Sequence, residues 1–476
     1  MTRKTKIVCT IGPAVDSKEM LRKLMLAGMN VGRINFSHGN YVDQEDRINM
    51  FKEVRDELKL PIPLLLDTKG PEIRIGKFAE KQVYLEDGKK FTLLNEDVLG
   101  DNTKVSVTYK DLYKDVDIGK TILVNDGTIE LKVIEIREKD IECEIIHGGV
   151  LTNSKSINIP DLKLNLPSIT EKDIEDIKYG IKVGFDYIAA SFVRKKEDVL
   201  AIRKVLKENN GEHIKIISKI ENREGINNFD EILEVSDGIM VARGDLGVEI
   251  PMEEVPVLQK QFIKKTYRAA KPVITATQML ESMVNNPRPT RAEVSDVANA
   301  IYDGSSAIML SAETAMGSYP VECVQTMDKI ARKVESSIKY WKRFRNREYN
   351  ESSSNYEFHI CHSICANAMN IDAKVIFAYT QKGDTPRLIS SFGPQCPVYA
   401  ITDNEITYRQ LGLAWNIIPN LFGKQEKIEN MLQLGIETAK EQGLINKGDF
   451  VIISGGAPVI SNVTEENRVI GGVLKV

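Results

Sequence analysis

A lysine and a glutamate stand two residues apart in IISKIENREG, residues 216–225, directly after a β-branched run. Strand side chains alternate between faces, so Lys219 and Glu221 point the same way from the carboxyl end of a predicted strand. For an isolated pair, a structural ion bridge explains that spacing as well as chemistry does. The next predicted strand changes the balance, because GIMVARGDL ends in Arg243 and Asp245. Glu221 and Asp245 on consecutive strands offer two carboxylates, hard ligands suited to Mg2+ or Mn2+, with no histidine or cysteine beside them to favour zinc. Arg33, Arg74, Lys219 and Arg243 add cations around the same mouth, which calls for polyanionic substrates such as phosphates. Two unit negative charges about 4 Å apart repel by roughly 4 kcal/mol at an effective dielectric near 20, so two phosphorylated anions need such neutralisation to meet. Metal and arginines together suggest phosphoryl transfer.

The elements that would position these groups recur with one period. KIVCTIG, NVGRINFS, PLLLDTKG, YIAASFV, KIISKIE, GIMVARGDL, PVITATQML and AIMLSAET are eight β-rich runs, separated by helical patterns such as residues 17–26, 171–182 and 255–270. Eight such alternations predict an α/β fold, a (β/α)8 TIM barrel, whose catalytic groups gather at the carboxyl ends of the strands. Those ends carry Thr10; Arg33, Asn35 and Ser37; Asp67, Thr68 and Lys69; Ser191 and Arg194; Lys219 and Glu221; Arg243 and Asp245; Thr277 and Gln278; Ser311 and Glu313. The barrel is expected over residues 1–70 and 167–335. Between its third and fourth strands the pattern switches to alternation with Asp-Gly turns, as in QVYLEDGKKFTLL and TILVNDGTIELKVIEI. That texture predicts an inserted small β-barrel lid domain over residues 71–166. Residues 336–355, including the basic, aromatic IKYWKRFRNREYN and a serine-rich run, read as a helix end and linker. Five further β-rich runs over 356–476, with helices between several of them, predict a C-terminal open-sheet α/β regulatory domain.

Composition narrows the partners. The 476 residues suggest two to three domains, and 64 basic against 68 acidic residues leave a net charge of −4, too balanced for nucleic acid or an anionic membrane as the main partner. No apolar run approaches transmembrane length, and the basic amino terminus is interrupted at Gly12-Pro13, far short of a signal-peptide core. Six scattered cysteines read as reduced thiols of a cytoplasmic protein. Cys361 and Cys365 with His359 and His362 make a metal site conceivable, but core packing explains them better. The chain contains neither a P-loop nor the protein-kinase motifs, and GPEIRIG is weak by itself. From the residues alone, the reading stops at a metal-dependent barrel enzyme for phosphorylated acids.

At these same residues the chain resembles the pyruvate kinase family. The matching segments are KIVCTIGPA, GMNVGRINFSHG, LLLDTKGPEIR, ASFVR, IISKIENREG, VARGDLGVEI, ATQMLESM and PRPTRAEVSDVANA. The resemblance implies transfer of phosphate from phosphoenolpyruvate to ADP, giving ATP and pyruvate, the last step of glycolysis. It implies that Lys219 stabilises the transferring phosphoryl group and the enolate, that Arg33 contacts the phosphate, and that Glu221 and Asp245 hold Mg2+ or Mn2+. It implies K+ held by Asn35, Ser37, Asp67 and the main-chain carbonyl of Thr68, and the acidic Glu72 in GPEIR goes with such a requirement. Main-chain N–H groups near Gly244 and Asp245, with the Thr277 hydroxyl, would bind the substrate carboxylate, and Thr277 also stands in the proton relay. His38, Arg74 and Lys155 match positions around the nucleotide, and the lid would close to exclude water. A homotetramer is likewise implied.

Two departures stand out: Met316 in AETAMG where many relatives have lysine, and Asp161 in NIPD where glycine is usual. Altered nucleotide affinity is the expected effect. With the sequence ending at Val476, the extra phosphohistidine-like domain that some bacterial relatives carry is not expected. In AYTQKGDTPRLIS, a strand ends near Thr380 and a helix begins near Thr385, so free N–H groups would face an anion. By resemblance, Thr380, Lys382, Gly383 and Thr385 form an effector site, and Asp384 disfavours a bisphosphate against a monophosphorylated sugar or nucleotide. The bland reading of that turn is a helix cap by Asp384 or Thr385. Two alternatives stay open: another metal-dependent pyruvate or phosphoenolpyruvate barrel enzyme such as a carbon–carbon lyase, and a non-catalytic sugar-phosphate sensor.

Overall fold

In the computed structural model, which describes residues 3–37, 39, 41–162, 164–347, 356–424, 428–455 and 470–476, the eight runs form one closed parallel barrel. Its strands are β1 (Lys6–Thr10), β2 (Val31–Asn35), β3 (Leu64–Asp67), β4 (Tyr187–Ala190), β5 (Lys215–Ile220), β6 (Gly238–Ala242), β7 (Val273–Ala276) and β8 (Ala307–Leu310). Each pairs in parallel with its sequence neighbour, and β1 closes on β8. The two-residue period sorts their side chains. Val8, Val31, Leu65, Ile217, Met240, Ile274 and Met309 fill the barrel interior, whereas Ile7, Cys9, Ile216 and Ile220 pack outward against the helices. Ile217 and Lys219 therefore share the inward face, the first apolar and the second at the carboxyl end. Leu413, from a turn far along the chain, closes the interior cluster.

The helices start where their caps say. Thr170 and Thr290 each form a reciprocal capping box, with Asp173 and Glu293, opening the helices Glu171–Lys182 and Arg291–Asp303. The inserted segment forms a seven-stranded sheet and a two-stranded sheet around its own core, which includes Phe91, Leu131, Val133 and Ile141. Most of its pairs are antiparallel as the alternation requires, but Lys90–Leu94 and Lys104–Ser106 pair in parallel, because residues 95–103 cross over instead of making a tight turn.

Beyond the barrel, the helix Pro320–Ser337 is followed by a short helix, Tyr340–Arg345, that buries Tyr340 and Phe344. The C-terminal sheet has the order Ile417–Leu421, Val398–Thr402, Val375–Tyr379, Phe450–Gly455, Ile470–Lys475, with only the last pair antiparallel. No helix among the described residues is long and apolar enough to cross a membrane.

Candidate active site at the strand ends

Register brings the polar strand ends together. Thr10 on β1 lies opposite Arg33 on β2, and Asn35 on β2 opposite Asp67 on β3. Arg33 donates from Nε to Asp67 Oδ2 at 2.6 Å and from Nη1 to the Thr10 hydroxyl at 2.8 Å. Lys219 Nζ reaches Asp67 Oδ1 at 3.2 Å, the Ser191 hydroxyl at 2.8 Å and Glu221 Oε1 at 2.9 Å. Burial alone would push the Asp67 carboxyl up and the Lys219 ammonium down. The facing charges win in both cases: Arg33 and Lys219 hold Asp67 below its ordinary value, and Asp67, Glu221 and Asp245 hold Lys219 above its own. Both groups are therefore ionised.

Glu221 is different. It is 1 % exposed, and its Oε2 accepts from the Phe192 N–H, while Oε1 lies near Lys219 without a well-formed hydrogen bond. Burial outweighs the pull of Lys219 and, with the repulsion of Asp245, leaves its carboxyl pushed up from its ordinary value. Asp245 itself makes no hydrogen bond or ion pair among the described residues and lines the cavity beside the strand ends. A buried carboxylate whose Oε1 meets Lys219 without a full hydrogen bond, next to a second, unpaired carboxylate, is a donor set that fits a hard divalent cation. The second candidate set also fits by its chemistry. Asn35, Ser37, Asp67 and Thr68 are all oxygen donors, with Asn35 Oδ1 fixed by the Ser37 N–H at 3.0 Å and the Thr68 carbonyl 2.6 Å from the Ser191 hydroxyl.

Thr277 carries a feature that its sequence does not advertise. Its φ is 67° and that of Gln278 is 52°, left-handed conformations that a β-branched residue rarely adopts. The turn is braced from two sides. Arg243 donates to the carbonyls of Ala276 and Thr277 and pairs with Asp296 at 2.7 Å, while Glu313 accepts from the N–H groups of Leu280 and Ser311. Arg243 is thus committed to holding this loop, not a free cation at the mouth as its strand-end position suggests. The product of the brace is a Thr277 hydroxyl that accepts from the Gly244 N–H at 2.7 Å.

The inserted segment covers this end of the barrel, and a cavity of about 600 Å³ lies between them, lined by Glu72, Asp126, Arg223, Gly244, Asp245 and Thr277 among others. Arg74 donates to Glu72 at 2.7 Å and to the Ser154 carbonyl at 2.7 Å, and Lys155 precedes Ser156, which is in register with Arg74. His38 falls outside the described residues. Between lid and barrel, Asn158 donates to Glu249 at 2.8 Å, and Arg223 bridges Asp161 at 3.1 Å to Glu254 at 2.9 Å. Asp161 has φ 55°, so this position keeps a left-handed backbone while offering a carboxylate. The returning chain is held by Arg194, which donates to the carbonyls of Leu164, Leu166 and Pro167.

Comparison with known proteins decides the family. The descriptions "Pyruvate kinase, barrel domain" and "Pyruvate kinase, alpha/beta domain" match residues 2–324 and 359–470. The chain belongs to the pyruvate kinase family. It is 47% identical over 469 residues to a protein named pyruvate kinase from Clostridium acetobutylicum, covering 98% of this chain and 99% of that one. A pyruvate kinase from Sporosarcina psychrophila is 50% identical over 459 residues, 96% of this chain and 78% of the other, and one from Clostridium perfringens is 45% identical over 458 residues, 96% and 97%. As a pyruvate kinase family member the chain is a phosphotransferase.

Against the pyruvate kinase reading, the remaining candidates fall into place. Met316 is 70 % exposed, at the end of the helix Ala312–Ala315. In the 380–385 turn, the helix begins at Asp384 and Gly383 takes the cap position with φ 88°, so neither Asp384 nor Thr385 caps it. The Thr380 hydroxyl accepts from the Gly383 N–H at 2.8 Å, and the Lys382 carbonyl accepts from Arg387 at 3.0 Å. All six cysteines are buried and unpaired. His362 stacks on Phe344, and no cluster of three metal-ligating side chains occurs among the described residues.

Ser191 is the residue that strand-end inspection undervalues: it touches Asp67, the Thr68 carbonyl and Lys219. Its place at the end of β4, beside a predicted lysine and aspartate, was the available signal.

Proposed function

We propose that this site transfers the phosphoryl group of phosphoenolpyruvate to ADP. The bond from phosphorus to the enol oxygen breaks, a bond to the terminal phosphate oxygen of ADP forms, and the enolate left behind takes a proton at carbon to give pyruvate. Lys219 carries this reading, because a buried ammonium kept charged by three carboxylates sits at the one end of the barrel where Arg33, Thr277 and Asp245 also converge. Its charge, with that of Arg33, opposes the negative charge that spreads over the phosphoryl oxygens and the enolate in the transition state. Glu221 and Asp245 would hold Mg2+ or Mn2+, which supplies Lewis-acid neutralisation of phosphate and enolate oxygens when bound. Asn35, Ser37, Asp67 and the Thr68 carbonyl would hold K+, which adds a positive charge near the phosphate. The Gly244 and Asp245 N–H groups and the Thr277 hydroxyl orient the substrate carboxylate, and the same hydroxyl belongs to the proton relay. Arg74, Lys155 and His38 are assigned to the nucleotide. The lid excludes water from the transfer.

A coupled assay of ATP formation tests this. The wild type is expected to need phosphoenolpyruvate, ADP and a divalent cation, and Glu221→Ala or Asp245→Ala to raise the half-saturating Mg2+ by at least about ten-fold, since even outer-shell partners of a metal cost 10–100-fold. Unchanged metal titrations would remove both from the ligand set. A carbon–carbon lyase or a sugar-phosphate sensor would form no ATP.

The proposal extends to a cytoplasmic homotetramer, and to activation by a monophosphorylated sugar or nucleotide bound at Thr380, Lys382, Gly383 and Thr385. Titrating ribose 5-phosphate, AMP and fructose 1,6-bisphosphate at low phosphoenolpyruvate distinguishes the effector classes. Strong activation by the bisphosphate alone reverses the assignment.

A further inference from the structure

The inserted segment leaves and rejoins the barrel by two crossings, residues 68–72 and 164–170, and both meet the same buried side chain. Asp173, 3 % exposed on the first turn of the helix Glu171–Lys182, accepts at Oδ1 from the Gly70 N–H at 3.0 Å. Its Oδ2 accepts from the Thr170 N–H at 3.2 Å and from the Thr170 hydroxyl at 2.5 Å. An ionised carboxylate is acceptor-only, and here each oxygen serves one crossing. From Ile73 on, the outgoing chain pairs inside the lid, Ile73 with Ile157 and Arg74 with Ser156, so Gly70 stands where the chain passes from barrel to lid.

A helix cap needs only the Thr170 half of this arrangement. The Gly70 half reaches the site. Gly70 has φ 71°, and a Cβ there would lie 2.9 Å from both the Cβ and the carbonyl oxygen of Ser191. The outgoing crossing therefore rests directly on the residue that touches Lys219 and Asp67. The returning crossing is held to both bodies. Asn165 donates from its N–H and its side-chain amide to Asp115 of the lid, at 3.0 and 2.7 Å, while Arg194 of the barrel takes the carbonyls of Leu164, Leu166 and Pro167. With that strand clamped to lid and barrel alike, the angle of the lid depends on where the outgoing strand is fixed relative to it. One planar carboxylate bonded to both strands sets that distance.

We infer that Asp173 is a positioning residue for the lid: by tying Gly70 to Thr170 it makes the two crossings turn as one unit, holds Arg74 and Lys155 over the strand ends and keeps water out of the closed cavity. The kinetic consequence rests on the phosphoryl-transfer reading of the site, whereas the tie itself does not.

Substitutions in the full-length protein separate a tie from a cap. Asp173→Ala removes both halves, Thr170→Val removes the hydroxyl from the cap and leaves Gly70 bonded, and Asp173→Asn keeps an oxygen for the Gly70 N–H. Asp173→Ala is expected to raise the KM for ADP by about ten-fold with a smaller fall in kcat. It should also form more pyruvate than ATP, as water takes the phosphoryl group in place of ADP and gives inorganic phosphate. Thr170→Val should stay within about two-fold of the wild type in KM, and Asp173→Asn should recover most of the loss. Hydrogen exchange reads the tie without catalysis. In Asp173→Ala, the segments 68–72 and 164–170 should exchange faster together, and in the wild type the Gly70 amide should exchange far more slowly than the amides of exposed lid turns. Three results overturn the inference: an unchanged KM for ADP and pyruvate-to-ATP ratio in folded Asp173→Ala, an equal loss in Thr170→Val or Asp173→Asn, or a Gly70 amide that exchanges freely in the wild type. The last stands even where Asp173→Ala does not fold. A wild type that forms no ATP contradicts the transfer reading and leaves the exchange measurement to decide the tie.

Discussion

Ser191 shows how much of the site depends on a single small side chain. Its hydroxyl oxygen lies 2.6 Å from the Thr68 carbonyl and 3.2 Å from Asp67 Oδ1, and it accepts from Lys219 at 2.8 Å. Removing it leaves Lys219 charged, because Asp67 and Glu221 remain, but lets the ammonium swing between them. Ser191→Ala is therefore expected to lower kcat on the order of ten-fold, a loss of about 1.4 kcal/mol in the transition state. Steady-state kinetics check this, and an unchanged kcat would show that Lys219 needs no such guide. The pair Lys219 and Glu221 was legible because the strand period puts residues two apart on one face. The strain at Thr277 and the commitment of Arg243 were not, because a backbone angle and a choice of hydrogen-bond partner are set by Asp296, Glu313 and neighbouring carbonyls distant in sequence.

Among elements, the barrel strands were readable from their runs of β-branched residues, and the helix Glu171–Lys182 from its helical pattern. The parallel pair inside the lid was not, since alternation gives a strand its faces but not its partner. The short helix Tyr340–Arg345 also escapes a reading by composition: KYWKRFR looks like a solvated basic stretch, yet packing claims Tyr340 and Phe344. Lid attachment offers a test at this scale. Asp161 is 60 % exposed at its side chain, so its bridge to Arg223 falls in the range of about 0.2–1 kcal/mol for exposed pairs. Asp161→Gly removes that bridge while suiting the left-handed backbone, and Glu254 continues to hold Arg223. A rise in the KM for ADP of no more than roughly five-fold is expected, as 1 kcal/mol corresponds to less than a factor of ten, and high salt should produce the same rise in the wild type. A fall in KM would contradict a lid held by this pair.

At the scale of the whole molecule, the barrel and the C-terminal domain are joined by contacts between residues more than two hundred positions apart. Asp186, 1 % exposed, accepts from Arg409 Nε at 2.8 Å and from the Leu64 N–H at 3.0 Å. Burial raises its carboxyl, and Arg409 only partly offsets that. Beside it the Tyr187 hydroxyl donates to the Gln410 carbonyl at 2.7 Å, and Leu413 seals the barrel interior. Arg409→Ala strands a buried carboxyl without its partner and is expected to destabilise the protein by about 3 kcal/mol, the lower end for a broken buried pair because the Leu64 N–H remains. Denaturant unfolding measures it, and a change below about 0.5 kcal/mol, the scatter of ordinary surface substitutions, would show that the two domains do not depend on this link. No local pattern in the sequence announces such a contact, although the five strands of the C-terminal sheet were each visible.

The central claim is that Lys219 serves the transferring phosphoryl group and not the fold. Its most direct test is the rate of ATP formation by Lys219→Met, at saturating phosphoenolpyruvate, ADP, Mg2+ and K+, with circular dichroism confirming the folded state. The expected result is a folded protein whose rate has dropped by at least about three orders of magnitude, the scale on which losing a positioned transition-state charge is felt. A folded variant that forms ATP at near wild-type rate would contradict the account.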